Sequence, residues 1–562
     1  MADTAGGAPG GRWALVEAAD GGFLSCALDG AGRRAGPVVR APDAAAAVRA
    51  RPRVARWVWR STAEIQPHLL AAGVHVERCY DVEAAESLLL GHEGAAGTPH
   101  SLPAAYARLH RLAVPPDPQP PSTDTEVQPS LFDTRPAPLP EAVDPLEALR
   151  EVYAAQLIRT EAAEHPERMR LLLAGESAGW LVAGEMGATG VPWRADVHRR
   201  LLGELLGERY GGSGLPRRLV ELEEEVSRAF GVRVRPDLPA EMLSAFARQG
   251  IKLGSTRAWE LRETQHPAVA PLLEYKKLYR LYTAHGWSWL RHWVHDGRFR
   301  PHFVPSGAAS GRWTTNGGGA LQIPRAVRRA VVAEPGWRLV VADADQLKPR
   351  VLAAVSRDPG LMAVAADDRD LYTTLSERAF AGDRARAKLA LLGAVYGQTS
   401  GDGLRHLAAL RRRFPRAIAY VDEAARSGEE GGLVRTRLGR TCPPGAEGSE
   451  GAWNGEAPPR PGATPGARAR GRFTRNFVVQ GSAADWAVLM LAALRRSLSG
   501  LAAELVFFQH DEVIVHCPAE EAAQVAAAVQ EAGRTAAGAA FGDVPVAFPF
   551  TVAAVECYAD AK

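Results

Sequence analysis

Cysteine is scarce in this chain of 562 residues: Cys26, Cys79, Cys442, Cys517 and Cys557 are odd in number and far apart. That pattern argues against a disulfide framework and against a zinc knuckle. Lysine is almost as rare. Of 67 basic residues only Lys252, Lys276, Lys277, Lys348, Lys388 and Lys562 are not arginine, so a lysine here marks a position where a compact ammonium suits better than a planar fork. Net charge is only +3, so affinity for nucleic acid has to come from local clusters rather than from the total. No uninterrupted apolar run approaches the roughly 18 to 20 residues a membrane-crossing helix needs. Met1 to Gly11 lacks the basic region and apolar core of a signal peptide, and the expected compartment is the cytoplasm.

The length predicts three or four folded units. Residues 12–113 alternate short apolar runs with Ala-rich stretches, predicting a small α/β domain with a strand over Val54 to Trp59 and a helix over Asp81 to Leu90. From Val114 to about Pro145 the composition turns to Pro, Asp, Glu, Ser and Thr, which cannot bury enough apolar surface to fold and reads as a linker. Within it, Gln128-Pro129-Ser130-Leu131-Phe132 resembles the Gln-x-x-Leu-Phe peptide by which bacterial replication and repair proteins dock on the sliding clamp, with Gln128, Leu131 and Phe132 as anchors. Leu146 to about Leu290 has mostly helical spacing, as in Leu171 to Val182, His198 to Leu206 and Leu272 to Leu290. Beyond Pro301 short strands, glycine breaks and helices alternate, and Gly428 to Gly432 and Pro443 to Gly471 read as surface loops.

Five stretches carry candidate chemistry. Phe507 to Val515 places apolar runs on both sides of His510-Asp511-Glu512, which predicts a hairpin with acids at its tip. Leu339 to Ala342 is an apolar strand ending on Asp343, followed by a helical pattern through Val355. Arg384, Lys388, Leu392 and Tyr396 recur every four residues and form a stripe on one helix, cations at its N-terminal end. Cations there oppose the helix dipole, a placement that makes better sense if an anion binds. Ser310 to Pro324 is a loop holding Arg312 and Gln322, and Arg472 to Asp485 leads into an apolar helix over Trp486 to Leu494.

In this order the five resemble the polymerase domain of family A DNA polymerases, from about residue 146 to the C-terminus. Arg312 to Pro324 is similar to Thr-Gly-Arg-Leu-Ser…Leu-Gln-Asn-Ile-Pro, and Asp343 to Arg350 to Asp-Tyr-Ser-Gln-Ile-Glu-Leu-Arg. Arg384 to Gly397 is similar to the fingers helix, Asn476 to Asp485 to Asn-x-x-Val-Gln-Gly-Thr-Ala-Ala-Asp, and the hairpin to the family's His-Asp-Glu. The resemblance implies an α/β and α+β multidomain protein. A small RNase H-like, 3′-5′ exonuclease-like domain (1–113) and the linker (114–145) precede a right-hand polymerase: helical thumb (146–300), antiparallel palm sheet (301–362 and 475–562), and shortened helical fingers with connecting loops (363–474).

It further implies primer extension with deoxynucleoside triphosphates on a DNA template, in repair or gap filling, by a monomer using two Mg²⁺ ions held by Asp343 and Asp511 with Glu512 beside them. Lys388 and Arg384 would neutralise the triphosphate. Tyr396, Leu392, Lys348 and Gln346 would face the nucleotide, and Arg312, Gln322, Arg472, Asn476, Gln480 and His510 the primer–template.

Three departures alter the expectation. Lys348 stands where the family has the Glu that excludes ribonucleotides, Leu392 where it has an aromatic, and the Asn after Gln322 is missing. Sugar selection is therefore expected to weaken, and short fingers to lower processivity, which a clamp tether would offset. In the N-terminal unit only Glu17 stands near the first strand, where nuclease chemistry needs an Asp-x-Glu pair, so proofreading is not expected. A catalytically silent primer–template scaffold, or a polymerase that retains the nuclease, are the alternatives.

Overall fold

The computed structural model describes residues 11–18, 20–118, 139–140, 143–208, 214–316, 319, 323–396, 402–444 and 464–561. Two compact units emerge, one built from 1–188, 303–314 and 340–553, the other from 189–302, 315–339 and 554–562.

The first unit begins with a five-stranded sheet of β1 (Arg12–Glu17), β2 (Phe23–Leu28), β3 (Val39–Ala41), β4 (Arg56–Trp59) and β5 (Cys79–Asp81) in the order β3-β2-β1-β4-β5. β1 to β3 pair antiparallel, while β4 and β5 run parallel to β1. Parallel strands need crossovers, and these are helices: Thr62–Ala71 separates β4 from β5, and α1 (Val82–His92) follows β5. Leu15, Trp57, Trp59 and Leu69 fill the core between sheet and helices. The α/β character and the strand and helix expected in this region are present.

This sheet is tied to long helices further along. In α2 (Pro145–Glu161), Gln156 donates to the Val82 carbonyl at 2.9 Å, and Gln66 donates to the Leu181 carbonyl of α3 (Pro166–Thr189) at 2.7 Å. Gly184 makes the second contact possible, since a Cβ there would lie 2.0 Å from the Gln66 amide oxygen.

The central sheet is formed by β6 (Trp337–Ala344), β7 (Glu504–Gln509), β8 (Glu512–Pro518) and β9 (Phe550–Val555) in the order β7-β8-β6-β9. Between β6 and β7 the chain supplies α4 (Leu347–Ser356), α5 (Leu371–Ala379), α6 (Arg384–Tyr396), α7 (Pro415–Glu429) and α8 (Pro465–Leu498); α9 (Ala522–Phe541) follows β8. Trp486 anchors α8, donating to the Gly533 carbonyl of α9 at 3.2 Å and stacking on Phe548 and Phe550.

α8 corrects two expectations. It is one helix of 34 residues, so the stretch from Arg472 to Asp485 lies within it and residues 465–471 are helical rather than loop. Its best 18-residue window has a mean hydropathy of 1.6, long and apolar enough to cross a membrane, yet 89% of that window is buried in the fold. Polar residues interspersed among the apolar ones break the run in sequence. Gly428 likewise belongs to α7, and residues 445–463 lie outside those described.

The second unit is mainly helical. In Arg217–Phe230, Leu219, Leu222, Val226 and Phe230 recur at helical spacing and are buried, and Gly231 ends the helix at φ 70°. The pattern from Leu272 to Leu290 is broken by Gly286 into helices Val269–His285 and Trp287–Trp293.

Candidate active site

Two acids distant in sequence meet because of how β6 and the β7–β8 hairpin end. Val340, Val341 and Ala342 are buried, so β6 is fixed by packing as far as half-buried Asp343. Phe507, Phe508, Val513, Ile514 and Val515 fix the hairpin in the same way. Pairing of Gln509 with Glu512 leaves a two-residue tip, His510-Asp511, with His510 at φ 58°. The Ala344 N–H donates to the Asp511 carbonyl at 2.9 Å, joining tip to strand end. Asp511 is pushed up to about 6, first by burial and then by the Asp343 carboxylate, while Lys348 and Arg312 act in the opposite direction. His510 is exposed, and Glu512, the first residue of β8, is only 5% exposed.

Gln346 turns the chain from strand into α4 at φ 47°, a left-handed conformation uncommon for a residue with a side chain. Its amide donates to Asp370 Oδ2 at 3.4 Å and accepts from the Leu371 N–H at 3.3 Å. Nearby, Arg350 is fully buried and donates to the carbonyls of Asp345, Ala365, Asp367, Arg369 and Ala547, at 2.9–3.2 Å. One guanidinium thereby gathers five backbone acceptors, of which the Ala365 carbonyl also accepts from the Ala547 N–H at 2.9 Å.

The cationic stripe stands on α6 as expected. Ala387, Ala390, Leu391, Ala394 and Val395 are buried, leaving Arg384 and Lys388 exposed and Leu392 half-buried; the Tyr396 side chain lies outside the described residues. Arg384 grips Asp370 with both arms of its fork, at 3.0 and 2.7 Å. Its Cζ lies 5.7 Å and Lys388 Nζ 6.0 Å from the Tyr372 ring centre, within cation–π reach. Asp370 and Tyr372 do not stand out in the sequence, and Arg350 appears there only as the last residue of the Asp343 to Arg350 motif. An Asp two residues before a Tyr at a helix start reads as an ordinary cap until the fold places it beside α6.

Arg472, Asn476 and Gln480 follow one another at one-turn spacing along α8. Asn476 donates to Gln480 Oε1 at 3.0 Å, and Gln480 donates to Ser310 Oγ at 3.1 Å. The buried Asn476 Oδ1 accepts no hydrogen bond from the described residues. Neighbouring Arg475 ties α8 to the end of α6 through the Ala394 carbonyl at 2.7 Å. Arg312 is half-buried, while Gln322, like Gln128, Leu131 and Phe132, lies outside the described residues.

Behind this track Arg440 is 5% exposed and donates to Asp485 at 2.7 Å, Glu176 at 3.0 Å and Ser306 at 2.8 Å. In the N-terminal sheet Glu17 is exposed at the end of β1. Asp81 is consumed as a cap, accepting from the Thr62 and Ala84 N–H groups at 2.7 and 2.9 Å. Among the described residues no group of three or more His, Cys, Asp or Glu forms a metal cage.

A family model for DNA polymerase family A matches residues 244–554, just over half of the chain. Among curated relatives, DNA polymerase I of Chloroflexus aurantiacus is 30% identical over 46% of this chain and 29% of its own length. The thermostable DNA polymerase I of Thermus thermophilus is 27% identical over 55% and 41%. The matched part of the chain therefore spans less than half the length of these relatives. A solved structure, the POL domain of Pol1 from M. smegmatis in complex with DNA primer-template and dNTP, superposes with a TM-score of 0.71 at 19% identity, covering 98% of this chain and 96% of that one. That likeness bears on the fold: mixed helix and sheet, in the multidomain arrangement expected.

Proposed function

The chain belongs to DNA polymerase family A, and on that premise we propose that it extends a primer 3′ end with deoxynucleoside triphosphates on a DNA template. The observation that carries this reading is the meeting of Asp343 and Asp511, with the exposed cations Arg384 and Lys388 presented by α6.

The residues fit the Mg²⁺ ions the family implies. Both candidate ligands offer only oxygen, the donor Mg²⁺ takes, and a cation relieves both the burial of the Asp511 charge and the Asp343 repulsion that together raise Asp511. Two carboxylates rather than a closed cage leave coordination positions to water and substrate phosphate, with Glu512 adjacent as a further acid. When bound, a pair of Mg²⁺ ions supplies Lewis-acid stabilisation of the primer 3′-oxygen and the leaving pyrophosphate.

The protein's own groups do the rest. Arg384 and Lys388, exposed on α6, meet the charge of the triphosphate. Gln346 and Leu392 face the nucleotide, with Tyr396 as the third candidate contact. Arg472, Asn476 and Gln480 line up along α8 to follow the primer–template. His510 at the exposed tip contacts the primer end, and Arg312 screens Asp511.

Lys348 places a positive charge near Asp511, and selection against ribonucleotides is weak as a result. The N-terminal sheet serves as scaffold without proofreading, given where Glu17 and Asp81 stand. Gap filling in the cytoplasm by a monomer, tethered to the sliding clamp through Gln128, Leu131 and Phe132, completes the proposal.

Primer extension by the full chain with Mg²⁺ tests it. Template-dependent extension lost in Asp343→Ala is expected; equal extension by the variant, or none by the wild type, contradicts the reading.

A further inference from the structure

The carboxylate of Asp370 is crowded with donors. Oδ1 accepts from the Thr373 N–H at 2.7 Å, the Thr373 hydroxyl at 2.9 Å and Arg384 Nε at 3.0 Å. Oδ2 accepts from Arg384 Nη2 at 2.7 Å and Gln346 Nε2 at 3.4 Å. These donors, Arg384 foremost, hold the Asp370 carboxyl down at about 2. The backbone at Asp370 is pinned as the cap of α5, and Gln346 lies three residues beyond Asp343. A continuous path of contacts thus joins the acid strand to the cationic helix, through a residue that belongs to neither.

The bidentate match also means that the fork of Arg384, the group best suited to grip a phosphate, already grips an anion. We propose that Asp370 is a positioning residue that occupies Arg384 in the absence of nucleotide and hands it over to the triphosphate on binding. The inference rests on the reading of α6 as the triphosphate site. A triphosphate outcompetes a single carboxylate because it brings several charges, and Lys388, over the same Tyr372 ring, adds to its pull. The Asp370 pair is the right strength for a handover. Its side chains are 52% and 31% exposed, so it is screened and weak enough to exchange, while the cap and Gln346 keep Asp370 in place afterwards.

The test is nucleotide affinity, from the concentration dependence of single-turnover incorporation by the full chain on a primer–template with Mg²⁺. Asp370→Asn removes the charge yet keeps the cap, since Asn and Asp cap helices equally well. It is expected to tighten deoxynucleotide binding about two- to fivefold, the range for freeing a half-exposed ion pair, and to leave binding unchanged in an Arg384→Ala background. Asp370→Ser, which also keeps a capping oxygen, is the second variant and is expected to behave alike. Weaker or unchanged binding in both overturns the handover. Arg384→Ala alone is expected to weaken binding; if it does not, the triphosphate reading of α6 fails instead.

Discussion

The acid pair makes its strongest prediction in protein free of metal. Asp511 rises from an ordinary value of 3.8 to about 6 because it is buried beside Asp343. Between those values the unfolded chain releases the Asp511 proton while the folded chain still holds it, so stability falls as pH rises through that window and stays lowered above it. A rise of that size corresponds to roughly 3 kcal/mol, and solvent screening at the half-buried tip reduces this to about 2 kcal/mol. Asp511→Asn removes the ionisation. In urea unfolding with chelator present, the variant is expected to match wild type near pH 4 and to exceed it by about 2 kcal/mol above about pH 6.5. Added Mg²⁺ should raise wild-type stability and leave the variant unmoved. A variant less stable than wild type at pH 7 without metal would refute the reasoning, because Asp511 would then be a stabilising partner rather than a strained one.

Three further outcomes are expected. Arg440→Met leaves the buried carboxylates of Glu176 and Asp485 without their countercharge, with the Ser306 and Thr436 hydroxyls still donating to them, and should cost about 3 to 5 kcal/mol in denaturant unfolding; a loss under about 1 kcal/mol would mean the network is not coupled. Lys348→Glu should raise the preference for deoxy- over ribonucleotides by about tenfold, near 1.4 kcal/mol, in competing single incorporations, and an unchanged ratio would detach Lys348 from sugar choice. Deleting Gln128 to Phe132 should abolish retention on immobilised sliding clamp while extension on a short gap persists; unchanged retention removes the tether.

Much of the site is legible in the sequence because its local signals are strong. Apolar runs bracketing a polar break specify the hairpin from Phe507 to Val515, and a run ending on an acid specifies β6. The four-residue recurrence of Arg384 and Lys388 survives on α6 because the helix buries Ala387, Leu391 and Ala394 instead. Asp370 is hidden for a different reason. Fourteen residues separate it from Arg384, and only the packing of α5 against α6 makes them partners. The course of α8 escapes the sequence because Gly471 looks like a break. A Cβ there would come 2.5 Å from Glu429 Cγ, so that glycine is dictated by close packing and not by a turn. Arg350 carries two signals, its place at the end of the Asp343 to Arg350 motif and a charge in a largely apolar stretch of helix, which marks either exposure or a fully satisfied burial.

The central claim is that Asp343 and Asp511 act as one reaction centre. Single-turnover incorporation on a preformed primer–template complex measures it most directly, comparing Asp343→Asn, Asp511→Asn and the double variant. Groups that act as a unit are not additive, so each single change should cost at least about a thousandfold in rate and the double change little more. Losses that multiply, or a single variant within about tenfold of wild type, would contradict the account.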